Sequence, residues 1–187
     1  MNAIRADLNL KPLKNTTIRF SGRYENYLYN QYFTEFDADA TTWGLGIRHN
    51  FPVFTLQADY YFRVLDNRTD QGFQHDDASY ESNKYSGLIR IRKMLLDDAK
   101  PKGPVWQPAL ELSYEERFFQ GLDDWYGGRI DQIYTTTASL DFKLNKNWNI
   151  NLDYSHVFRN IDSPSAAVRR AKEFSENRLS AAVKYMF

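Results

Sequence analysis

The stretch "RLSAAVKYMF", residues 178–187, sets the pattern for the whole chain. Every second position gives Leu179, Ala181, Val183, Tyr185 and Phe187; the positions between give Arg178, Ser180, Ala182, Lys184 and Met186. Successive side chains of a strand point to opposite faces, so this alternation predicts a strand with one apolar and one polar face.

The same alternation recurs upstream, each time bounded by turn residues. Ile4, Ala6, Leu8 and Leu10 oppose Arg5, Asp7 and Asn9, and "KPLKN" (11–15) turns the chain. Ile18, Phe20, Gly22 and Tyr24 then oppose Arg19, Ser21, Arg23 and Glu25. Further strands are expected at 42–50, 54–64, 84–93, 106–118, 133–144 and 148–158. With 3–10, 17–27 and the final stretch, that makes about nine. Two short helical pieces are expected inside connections, at 93–100 and at 163–174. The second has Ser163 as cap and Pro164 at the first helical position.

The 187 residues fit a single domain with no separate soluble part. Lys plus Arg and Asp plus Glu balance at 24 each, so no net field recruits nucleic acid. Cysteine is absent, which excludes thiol chemistry and thiolate metal sites. No apolar run approaches the ~18 residues of a membrane helix. The first ten residues lack the charged leader and apolar run of a signal peptide, so either a signal was removed or the chain begins inside a longer one. Aromatic residues make up 16% of a chain that is hydrophilic on average, so the rings need a particular place.

Connections near 11–15, 50–53 and 145–147 are short, whereas those near 26–41, 65–83, 119–131 and 159–176 are long and polar; only 93–105 breaks the rule, being longer than its short counterparts. Long strands joined by alternating short and long connections predict an antiparallel up-and-down β-barrel of the transmembrane kind. Its short turns would face the periplasm and its long loops the exterior.

Alternation alone does not say which face is enclosed; the placement of the rings does. Phe54, Trp106, Phe142, Trp148 and Phe187 fall at the short-turn end of their strands. Tyr24, Trp43, Tyr60, Phe62, Tyr85, Tyr114, Phe118, Tyr134, Tyr154 and Phe158 fall toward the long-loop end, with aliphatic residues between. Two aromatic belts around an aliphatic band are expected of rings at two headgroup levels, with Trp43, Phe54, Tyr60, Phe62, Trp106, Tyr114, Trp148 and Tyr154 as the interface set. Phe54 to Phe62 spans about 26 Å of strand. At a tilt of about 40° that is roughly 20 Å of height, near the ~25 Å of a lipid-facing band.

The opposite face carries Arg19, Arg23, Glu25, Arg48, Asp59, Arg63, Arg90, Arg92, Glu111, Glu115, Asp141, Lys143 and Asp153, which would line a lumen. The arginines there would either form a cationic constriction or be neutralised by the carboxylates.

The chain end resembles the C-terminal assembly signal of bacterial outer-membrane β-barrel proteins, with Val183, Tyr185 and Phe187 at the alternating outward positions and an aromatic last. The resemblance implies a Gram-negative outer membrane, contact with its lipid and lipopolysaccharide, and insertion by its assembly machinery. "LNLKPLKNTTIRFSGRYENY" is similar to hairpins of large barrels that sheathe multihaem cytochromes, and the last three strands equally resemble barrels attached to tetratricopeptide domains.

Other candidate motifs point to bland roles. His156 stands beside Ser155 but in the outward register, and no base with an orienting carboxylate is evident, so no catalysis is expected. His49 falls at a short turn and His75 in a loop. Asp66, Asp70, His75, Asp76, Asp77 and Glu81 share a loop whose spacing fits no calcium pattern, so neither metal nor cofactor is expected. Arg169, Arg170 and Lys172 offer cations to lipopolysaccharide phosphates or simply to solvent. The expected function is a passive channel or membrane scaffold. One alternative is a sheath or anchor for a partner, either a cytochrome or a periplasmic repeat domain. The other is a soluble lipocalin-like binder with its apolar face inside. Single-chain bacterial barrels have an even strand count. Nine strands therefore imply at least one more, from an upstream segment or another chain.

Overall fold

A computed structural model describes residues 2–28, 37–67, 78–92, 94–95, 105–122, 125–145 and 147–185. The fold is all-β: one antiparallel sheet in which nine long strands follow each other in chain order. They are β1 (Asn2–Leu13), β2 (Thr16–Tyr27), β3 (Ala38–Asn50), β4 (Phe54–Asn67), β5 (Tyr80–Ile91), β7 (Val105–Phe119), β8 (Ile130–Lys143), β9 (Trp148–Asp162) and β10 (Phe174–Tyr185). The two-residue β6 (Met94–Leu95) lies beside β7, opposite Trp106 and Val105. This corrects the helix expected at 93–100 for those two positions; 93 and 96–100 lie outside the described residues.

Tight turns build the short connections. Lys14 and Asn15 suffice between β1 and β2, because β1 continues through the expected turn to Leu13. Its register shifts between Leu10 and Leu13. Pro12, with no N–H to give, lies in that irregularity on an edge strand, where proline is tolerated. Between β8 and β9 the Asn145 side chain accepts from the backbone N–H groups of Asn147 and Trp148 at 2.9 and 3.0 Å. Gly128 supplies the positive φ of the turn before β8.

The helix α1 is Ala166–Lys172, capped by Ser165 rather than Ser163, so Pro164 precedes the cap. The Ser165 hydroxyl accepts from the Val168 N–H. Ser163 is instead buried, its hydroxyl on Ser165 N and its carbonyl taken by Arg169.

Most strands run further toward the long-loop end than their apolar alternation does. Strand β3 starts at Ala38 rather than 42, β5 at Tyr80 rather than 84, β8 at Ile130 rather than 133, and β9 ends at Asp162 rather than 158. Ladder hydrogen bonds need only backbone, so the pairing outlasts the apolar pattern that reveals it.

The two faces differ in kind. Among the described residues the buried apolar set is Ala38, Ala40, Ala109, Ile161 and Val168, with nothing larger than Ile. The buried polar set is longer and includes Glu25, Arg129 and Asp131. Trp43 (62%), Leu112 (53%) and Leu179 (81%) are among many large apolar side chains left exposed. The sheet thus curls around its polar face. It is not closed: β1 and β10 each pair on one side, and in a nine-strand antiparallel path they run in the same direction.

Candidate functional site

The enclosed polar face is the candidate site. Its construction starts from β3, whose inward residues Ala38, Ala40, Thr42, Gly44 and Gly46 are small. Side chains of β2 and β4 therefore meet across it. Arg19, Gly46 and Asp59 share one register row, and Arg19 Nη2 reaches Asp59 Oδ1 at 2.9 Å over the glycine. The same Nη2 donates to the Tyr61 hydroxyl at 2.6 Å, and Gln57 donates to the other Asp59 oxygen. Ser21, Gly44 and Tyr61 form the next row. A Cβ at Gly44 would meet the Tyr61 ring at 2.6 Å, and one at Gly46 would strike the Asp59 carboxylate.

Further toward the loop end Glu25, 2% exposed, receives Arg23 at 2.8 Å, Arg63 at 3.1 Å and the Tyr27 hydroxyl at 2.8 Å. Glu115 binds Arg117 at 2.7 Å, and the Arg117 guanidinium lies over the Tyr80 ring. Buried carboxylates in such numbers require paired cations, since an unpaired buried charge is very costly.

Between β7, β8 and β9, Asp131 is fully buried. Arg129 grips it through Nε at 2.8 Å and Nη2 at 2.9 Å, and Arg159 adds a third contact to one of the same oxygens. The Arg129 guanidinium stacks over Phe119 at 4.5 Å and Tyr126 at 5.3 Å. Lys172 of α1 sits 5.5 Å from the Trp125 ring.

Of the inward charges expected from alternation, Arg19, Arg23, Glu25, Asp59, Arg63 and Glu115 are brought together. Asp141, held by Asn151 at 3.0 Å, and Asp153 are half-buried on the same face. Arg48, Arg90, Glu111 and Lys143 are exposed nearer the short turns. Arg92 stands beyond the end of β5, where it donates to the Phe51 carbonyl of the adjacent turn at 3.1 Å.

Apolar alternation does not reveal the Arg129–Asp131–Arg159 cluster, because these residues fall in the polar stretches 119–131 and 159–176. A signal was present. Residues two apart share a face of a strand. Arg–x–acid or acid–x–Arg recurs at Arg5–Asp7, Arg23–Glu25, Glu115–Arg117, Arg129–Asp131 and Glu176–Arg178, all paired.

The outward face carries its rings in rows. Tyr60, Tyr85, Tyr114, Tyr134 and Phe158 are register partners on five neighbouring strands. Their successive ring centroids are 5.1 Å apart for Tyr60 and Tyr85, 5.0 Å for Tyr114 and Tyr134, and 6.2 Å for Tyr134 and Phe158. Phe62 and Trp43 pair one row nearer the loops, and the Trp43 ring covers Gly22. Near the short turns Trp106 packs on Phe142 at 4.7 Å and Trp148 on Tyr185 at 4.8 Å, while Phe54 stacks on Phe51. Tyr154 departs from the upper row. It pairs with Ala138 in the aliphatic band and donates to Asn177.

His156 also meets Asn177, at 2.9 Å, while Ser155 faces inward against Thr137. His49 pairs with the Thr16 hydroxyl at 2.8 Å. Asp70, His75, Asp76, Asp77 and the terminal Phe187 lie outside the described residues; Val183 and Tyr185 face outward at the short-turn end of β10. No family model, no curated protein and no solved structure matches the chain.

Proposed function

We propose that this chain is a β-barrel segment of a Gram-negative outer membrane, acting as a passive channel or membrane scaffold without catalysis. The observation that carries the reading is the polarity of the curled sheet. Its open face is aliphatic between two sets of packed rings. Tyr114 and Trp106 on β7, like Tyr134 and Phe142 on β8, stand eight residues apart, or about 26 Å of strand. Its enclosed face holds buried ion pairs. Lipid outside and water within account for both. A lipocalin-like binder would put the apolar side chains around its cavity instead. Antiparallel closure between two edges that run the same way needs an odd number of further strands, from this protein or a partner. Unpaired backbone in hydrocarbon supports that need.

Folding into detergent or lipid vesicles tests this. The expected product migrates anomalously until boiled and keeps its strands under protease. A monomeric protein that folds and stays soluble in water without detergent would overturn it.

A further inference from the structure

Charge on the enclosed face is uneven, although the chain as a whole is balanced. At the long-loop end a cavity of about 440 Å³ reaches from β2 to β9 and α1. Arg63, Arg117, Arg129, Arg159 and Lys172 line it, and among the described residues no carboxylate does. Among the described residues, the carboxylates that serve these cations stand behind them and are outnumbered. Glu25 is shared by Arg23 and Arg63, and Asp131 by Arg129 and Arg159. Each cluster carries one cation in excess, and Lys172 adds another.

Cations gathered around one open cavity repel one another unless an anion joins them, and guanidinium forks match oxyanion geometry. Stacking of Arg129 on Phe119 and Tyr126, and of Arg117 on Tyr80, fixes these cations at the cavity wall. Burial of Val168 seats α1 and with it Lys172.

We propose that this cavity binds a small multivalent oxyanion, of the phosphate or polyphosphate type, supplied from water rather than from a lipid headgroup. It opens on the polar side of the sheet, opposite the apolar face. Arg63, Arg159 and Lys172 take the anion; Arg129 is committed to Asp131 and sets the field. The inference holds whether or not the apolar face meets lipid.

Titration of the folded full chain with inorganic pyrophosphate, followed by calorimetry, tests the site. One saturable event is expected, weakened by added salt. Lys172→Gln and Arg159→Gln should each weaken it about tenfold. Arg170→Gln, an equal charge change on the exposed side of the same helix, should leave it unaltered. The same titration with short-chain phosphatidic acid in detergent should show no competition with pyrophosphate. Absence of saturable binding, or equal loss in Arg170→Gln and Lys172→Gln, overturns the site. Competition by the lipid overturns its assignment to a water-borne ligand. Detergent dependence is read in a separate experiment, so failure here and failure of the membrane assignment are distinguishable.

Discussion

Arg19 and Asp59 are forty residues apart in sequence, yet Arg19 Nη2 lies 2.9 Å from the Asp59 carboxylate because the residue between them in the register is Gly46. The strand that separates them contributes no side chain at that row, so the pair closes over its backbone. The glycine therefore serves an ion pair to which it makes no side-chain contact.

Two glycine substitutions should then differ, one destabilising and the other not. Gly46→Ala places a methyl group against Asp59 and should cost about 1–3 kcal/mol, as overpacked sites do. At Gly87 nothing lies within 4 Å of the added Cβ, so Gly87→Ala should be neutral or gain roughly 0.5–1 kcal/mol from reduced backbone freedom. Urea midpoints of the two variants give the comparison.

Asp131 holds together the loop end of three strands. Asp131→Ala leaves Arg129, itself 2% exposed, as an uncompensated buried cation. Loss of about 3–5 kcal/mol is expected, as when one partner of a buried ion pair is removed. Arg178→Ala, which breaks an exposed pair with Glu176, should cost less than about 1 kcal/mol. Equilibrium unfolding should rank them in that order.

Neighbouring residues on β7 test the facing. Leu112 is in the outward aliphatic band and Glu111 on the opposite face. In vesicles Leu112→Arg should destabilise by about 2–4 kcal/mol if it sits near the bilayer midplane, and Glu111→Gln much less. A reversed ranking would contradict lipid on the apolar face.

The chain end makes a prediction in cells. If Val183, Tyr185 and Phe187 form the assembly signal, Phe187→Ser should leave unfolded, protease-sensitive protein in the periplasm. Wild-type levels of folded membrane protein would remove that role from the terminal aromatic.

The antiparallel order follows from the alternating short and long connections, and strand identity and the division into two faces from local alternation, because neighbouring side chains of a strand point opposite ways whatever surrounds them. The aromatic rows were legible for the same reason, at Tyr114 and Tyr134 for example. Strand ends were not. The ladder continues past Ile133 to Ile130 and past Phe158 to Asp162, on backbone bonds and on polar side-chain pairs such as Asp131 with Arg159, and alternating hydropathy does not register those. The pairing of particular charges was equally hidden. Arg63 meets Glu25 across β3, and Arg159 meets Asp131 from the next strand, because the register and the curl of the sheet bring them within reach. A one-residue slip would send each of these side chains to the other face. The alternation therefore marked which residues are charged and inward, while the cross-strand register chose their partners and concentrated the surplus cations at the long-loop end.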